Sequence, residues 1–138
     1  MELKNKLGLV TYKILFQVIL TDNGIEFSLL DEIENDENGE LITKVFFCDP
    51  YKSSQKGSCE RNHEFIRYVL PKGVSFDNLN QKDVDLIFSH INSTPRNSLG
   101  FKTPFELFKT AFGIEVLRIL NINEINKDDV HLKPELIK

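Results

Sequence analysis

Cysteine is scarce in this chain, with two in 138 residues, Cys48 and Cys59. Two cysteines cannot build a disulfide framework, so the expected setting is a reducing cytoplasm. Long apolar runs are missing as well. The stretch Lys13–Leu20 is interrupted by Gln17 and falls well short of the roughly 18–20 residues a membrane span needs. No membrane association is therefore expected. The opening M-E-L-K-N-K-L is amphipathic and lacks the charged-then-apolar order of a signal peptide. An excess of positive charge is lacking too: 17 basic residues face 21 acidic ones, a formal net charge of −4. That balance argues against nucleic-acid binding by bulk positive charge. Tryptophan and internal repeats are absent.

What remains is a chain that can fold. Hydrophobic residues make up 41% and charged residues 28%, with eleven phenylalanines, which excludes a disordered chain. The length fits one domain with a core. Charge is unevenly placed. Residues 1–47 carry four lysines against nine acids, whereas residues 48–110 carry nine bases against seven acids. The acid excess gathers in Asp31, Glu32, Glu34, Asp36, Glu37 and Glu40. A solvated helix end and turn is the simplest meaning of that cluster.

Leu3, Leu7, Val10 and Ile14 recur at helical spacing, predicting one amphipathic helix over residues 3–16 despite Gly8. Val18-Ile19-Leu20-Thr21 reads as a buried strand ending in the turn signal Asp22-Asn23-Gly24. Phe27, Leu29, Leu30 and Ile33 suggest a short helix. Asn38-Gly39 marks a tight turn before the β-formers of Leu41–Phe47. Residues 49–57 read as a loop, and Ser58–Val69 as a helix stopped by Pro71 and Gly73. A further helix is placed near 81–92. Thr103-Pro104-Phe105-Glu106 is a capping box with proline at the first helical position, so a helix should run from 104 until Gly113. Residues 114–120 continue as helix, and the polar tail 121–138 is expected to be partly loose. This order of elements indicates an α/β or α+β fold whose sheet lacks some strands.

Asp22 stands where a buried strand ends, a common place for acids that converge on a metal or substrate. Glu60 falls in the first turn of the helix after the 49–57 loop, with Glu64 one turn later. Hard cations such as Mg²⁺ take oxygen ligands of this kind. On pattern alone, a turn aspartate and a glutamate favoured by the helix dipole is the commoner meaning of such a pair. Cys48, Cys59 and His63 lack a fourth ligand at the spacing zinc needs. His90 and His131 are expected to be structural or solvent-exposed.

The words around the two acids are more specific. Thr21-Asp22-Asn23-Gly24-Ile25-Glu26-Phe27 resembles the second-aspartate motif of DDE transposases and retroviral-type integrases. The run from Phe47 to Asn62, F-C-D-P-Y-K-S-S-Q-K-G-S-C-E-R-N, resembles the loop and helix that carry the final glutamate. Ile66-Arg67, Leu70-Pro71-Lys72-Gly73 and the later L-G-F-K-T-P-F-E-L-F of Leu99 to Phe108 are similar to the IS-thirty family of bacterial insertion-sequence transposases. The resemblance runs from about Leu7 to Phe108. It implies a partial RNase H-like fold, a mixed sheet flanked by helices, with residues 1–120 forming the carboxyl-terminal part of a catalytic core. It also implies a function in DNA transposition and integration, through metal-dependent strand cleavage and transfer. By resemblance Asp22 matches the second acid and Glu60 the third, as catalytic residues and ligands of Mg²⁺ or Mn²⁺, with positions 23–59 between them. Lys52, Lys56, Arg61, Arg67 and Lys72, accompanied by Tyr51 and His63, would then lie along the DNA backbone, although a solvated basic face is an equal reading. Glu26 could support Asp22 or be a surface acid.

One member of the triad is unaccounted for. The family's first aspartate lies on an earlier strand, and the only acid before Asp22 is Glu2. The expectation is therefore a core without its first strands, inactive alone. A sheet without its central hairpin exposes the edge and one face of Val18–Thr21, which invites a homodimer or association with a full-length transposase. The rival reading is a non-catalytic regulatory module that acts by such pairing.

Overall fold

The computed structural model describes residues 2–22, 30–52 and 57–137. The chain forms two compact units, Met1–Gly57 and Ser58–Lys138, taken here in turn.

In the first unit, the single helix expected over residues 3–16 is two: α1 (Glu2–Leu7) and α2 (Leu9–Leu15). Gly8 separates them at φ +76, a left-handed conformation that glycine adopts freely and that takes the backbone out of the helical well. Of the expected stripe only Leu7 is buried; Leu3, Val10 and Ile14 are exposed, and Tyr12 is buried in their place. Strand β1 (Val18–Thr21) pairs in parallel with β2 (Lys44–Phe47), Val18 opposite Lys44 and Thr21 opposite Phe47. Parallel pairing requires a crossover, and α3 (Leu30–Glu34) lies within it. Phe27 and Leu29, counted towards that helix from sequence, lie outside the described residues.

Strand β2 starts three residues later than the β-formers suggest. The N–H groups of Ile42 and Thr43 donate to the Glu34 carbonyl at 2.7 and 3.2 Å instead of to a strand. The Glu34 carboxylate then accepts from Val45 N–H at 2.9 Å. Asp36 Oδ1 accepts from the N–H groups of Asn38 and Glu40, and Gly39 completes the turn at φ +79. Two members of the acidic cluster thus serve the backbone, consistent with a helix end and turn. The strand expected to be buried is buried on one side only. Thr21 is 2% exposed, while Val18 and Leu20 are more than half exposed. Alternation puts Val18 and Leu20 on one face with Phe46, and that face is about half exposed.

The second unit is built on α4 (Gly57–Val69) and α5 (Gln81–Asn92). Phe65, Val69, Leu70, Ile87 and Ile91 form its core, with Ile66, Leu79, Phe88, Leu132, Leu136 and Ile137 packed against it. Asn80 and Asp83 cap α5 reciprocally. Helix α6 (Pro104–Phe112) starts at the expected capping box, Thr103 accepting from Glu106 N–H and Glu106 from Thr103 N–H, and ends at Gly113. Helix α7 (Ile114–Ile119) follows.

The tail departs from the expectation of looseness. Three buried polar side chains, those of Ser89 and His90 in α5 and of Ser93 just after it, accept its backbone N–H groups. Asn123 donates to Ser89 Oγ at 3.0 Å, Ile125 to Ser93 Oγ at 2.9 Å and His131 to His90 Nδ1 at 3.2 Å. Leu132, Leu136 and Ile137 then join the core. His90 is structural, as one of its two sequence readings had it.

Candidate functional site

Asp22 directly follows β1 and is exposed. The parallel pairing continues past the strand, since Cys48 N–H donates to Thr21 O at 2.7 Å. Asp22 therefore stands at the carboxyl end of two parallel strands, the end at which open α/β sheets bind ligands. Asp49 leaves β2 at that same end and is ion-paired to Lys52 at 3.0 Å. Sequence reasoning passed over Asp49, and only the parallel register reveals that it shares an end with Asp22. Asn23, Gly24 and Glu26 of the D-N-G word lie outside the described residues.

Glu60 is exposed in the first turn of α4, where the helix dipole favours an acid. The same helix carries Arg61, ion-paired to Glu64 at 2.7 Å, and Arg67. The Arg67 guanidinium donates to Leu70 O at 3.3 Å and lies 4.6 Å from the Phe76 ring centre. Lys52, Arg61, Arg67 and Lys72 are all exposed, and Lys56 lies outside the described residues. Among the described residues, no three His, Cys, Asp or Glu side chains come together to hold a metal ion. Cys59 Sγ lies 3.6 Å from His63 Nε2, which leaves the zinc reading without further ligands.

One residue was missed by sequence reasoning altogether. Arg96 Nη2 donates to Asn62 Oδ1 at 3.0 Å. The guanidiniums of Arg61 and Arg96 lie 5.3 and 5.1 Å from the centre of the same Phe65 ring, close enough for cation–π attraction. Arg96 Nε is buried without a hydrogen-bond partner. Burial and the neighbouring Arg61 charge both lower the Arg96 pKa. Arg96 therefore ties the chain after α5 to the helix that carries Glu60. No spacing rule in the sequence signals this contact across 34 residues.

With this geometry in place, the class follows from comparison with known proteins: the chain is a homologue of insertion-sequence transposases, the IS30 type included. It is 38% identical over 97 residues, 70% of its length, to the transposase of element IS4351 from Bacteroides fragilis. Over 71 residues, 51% of its length, it is 38% identical to the InsI transposase of IS30A from Escherichia coli K12. The IS1086 transposase of Cupriavidus metallidurans is 34% identical over 64 residues. These matches span 28%, 18% and 19% of the respective relatives, so the chain corresponds to less than a third of each. No protein-family profile and no solved structure matches it. Among the described residues, no helix is long and apolar enough to cross a membrane.

Proposed function

We propose that this chain acts in DNA transposition, as part of an RNase H-like catalytic core in which Asp22 and Glu60 are ligands of Mg²⁺ or Mn²⁺. The observation that carries the reading is the homology to insertion-sequence transposases over 97 residues. The position of Asp22 at the carboxyl end of a parallel strand pair supports it. Exposed carboxylates are the hard oxygen donors these cations prefer, and water would complete the shell. Such ions supply charge neutralisation and nucleophile activation for phosphoryl transfer. The protein's share is to present these acids at the reacting phosphate and to seat the DNA backbone on Lys52, Lys56, Arg61, Arg67 and Lys72. Glu2, in the first turn of α1, pairs with Lys6 at 2.7 Å. Two such acids suffice for weak metal binding. Calorimetric titration with Mn²⁺ tests the reading. Weak heats that disappear in Asp22→Ala are expected, and equal heats in both proteins would refute the metal assignment.

The exposed face of Val18, Leu20 and Phe46 favours a second reading. In it the chain is a dimerising or regulatory module that pairs through the open edge of this sheet with another copy or with an intact transposase. A monodisperse monomer by light scattering at micromolar concentration would count against it.

A further inference from the structure

Between α5 and α6 the chain holds an aromatic ring out in water. Phe101 is 73% exposed and sits at φ +64, directly after Gly100 at φ +63. Left-handed backbone suits glycine, whereas a bulky L-residue is strained there. The loop is nonetheless closed tightly. Arg96 N–H donates to Lys102 O at 3.1 Å, and the N–H groups of Leu99 and Phe101 both donate to Arg96 O at 3.0 Å. Arg96 in turn is fastened to α4 through Asn62 and the Phe65 ring. The ring is therefore displayed by a braced loop, and at this exposure core packing does not explain it.

Cations adjoin it along the chain. Lys102 follows Phe101 directly, Arg96 closes the loop's base, and Arg61 flanks the Phe65 ring with Arg96. Among the described residues, neither Arg96 nor Lys102 is ion-paired to an acid. An exposed ring followed directly by a lysine matches a nucleotide, with the base on the ring and the phosphate on the cation. It does not match an apolar protein groove, which would meet a broader apolar patch. The same pairing recurs in the other unit, where Tyr51 is fully exposed at φ +62 and precedes Lys52.

We propose that residues 96–102 form a nucleic-acid contact loop, braced by Arg96, in which Phe101 stacks on an unpaired base while Lys102 takes the neighbouring phosphate. The proposal rests on the DNA reading above and adds to it a contact with unstacked bases. The chain has no tryptophan, so Phe101→Trp makes a single fluorescent reporter. Binding of a mixed-sequence single-stranded oligonucleotide, and of the same sequence as a blunt duplex, is measured by anisotropy for the unaltered chain, Phe101→Ala and Phe101→Trp. Phe101→Ala should bind the single strand about tenfold to a hundredfold more weakly while melting no earlier. Phe101→Trp should retain affinity and be quenched more by the single strand than by the duplex. If the unaltered chain binds DNA but Phe101→Ala binds equally well and the tryptophan is not quenched, the loop proposal alone is overturned. If the unaltered chain binds neither oligonucleotide, the DNA reading falls and this proposal with it.

Discussion

Acidification should loosen the carboxyl-terminal tail through one histidine. His90 is 5% exposed, and its Nδ1 accepts the His131 N–H at 3.2 Å. Acceptance requires a bare Nδ1, hence a neutral ring protonated at Nε2. Burial lowers the His90 pKa below its ordinary value, and the nearby His131 adds to this while Asp129 opposes it. The His131 ring lies edge-on at 5.3 Å. Glu124, Asp128, Lys133 and Glu135 also line the open cleft around the pair. With the folded pKa depressed, the unfolded chain takes the proton first as pH falls. Stability is therefore full above about pH 6.5 and declines below it, until the folded pKa is reached. Protonation forfeits one hydrogen bond and leaves a part-buried N–H unpaired, a cost of about 1–3 kcal/mol. The slope is bounded at about 1.4 kcal/mol per pH unit for one proton. For a unit of this size each kcal/mol moves the melting temperature by about 4–8 °C. The assay is thermal melting by circular dichroism between pH 7.5 and 5.5, compared with His90→Asn, whose side-chain oxygen can accept near the Nδ1 position without titrating. The unaltered protein should lose several degrees more than the variant over this range. Equal pH slopes in the two proteins would refute the reasoning.

Three further perturbations test the packing. Ile91→Ala removes a side chain only 1% exposed at the centre of the second unit and should cost about 2–5 kcal/mol in denaturant unfolding. Thr103→Ala removes the hydroxyl that accepts the Glu106 N–H at 3.1 Å; it should cost about 1 kcal/mol, read as a fall in the denaturation midpoint. Gly8→Ala places a Cβ at φ +76, where space is open but the backbone is strained, so melting should occur several degrees lower instead of being raised by the better helix former.

Helix α6 was legible because a capping box, proline at its first position and a terminal glycine act through neighbouring residues, and local chemistry is what a sequence displays. Helices α4 and α5 were legible from their apolar stripes. The break at Gly8 was not legible because Leu3, Leu7, Val10 and Ile14 keep helical spacing across it, and periodicity does not register one residue's φ. The tail escaped for a different reason: its attachments are its own backbone N–H groups, received by Ser89 and His90 of α5 and by Ser93 just after it. Hydropathy assigns such side chains to the surface. Strand β1 looked buried by composition, but burial depends on what covers the sheet. For the proposed site, Asp22 and Glu60 were singled out by the words around them. Arg96 and Phe101 were not, because one acts across 34 residues and the other stands out through a backbone angle.

The central claim, that Asp22 and Glu60 are metal-ligating acids of a transposition core, is tested most directly by paramagnetic broadening of amide signals on titrating Mn²⁺ into the isotope-labelled chain. The account predicts that signals around Asp22 and around Glu60 broaden together at the lowest Mn²⁺ concentrations, and that Asp22→Asn or Glu60→Gln weakens the effect at both places. Early broadening confined to the acidic turn at Asp31–Glu40, unchanged in either variant, would contradict it.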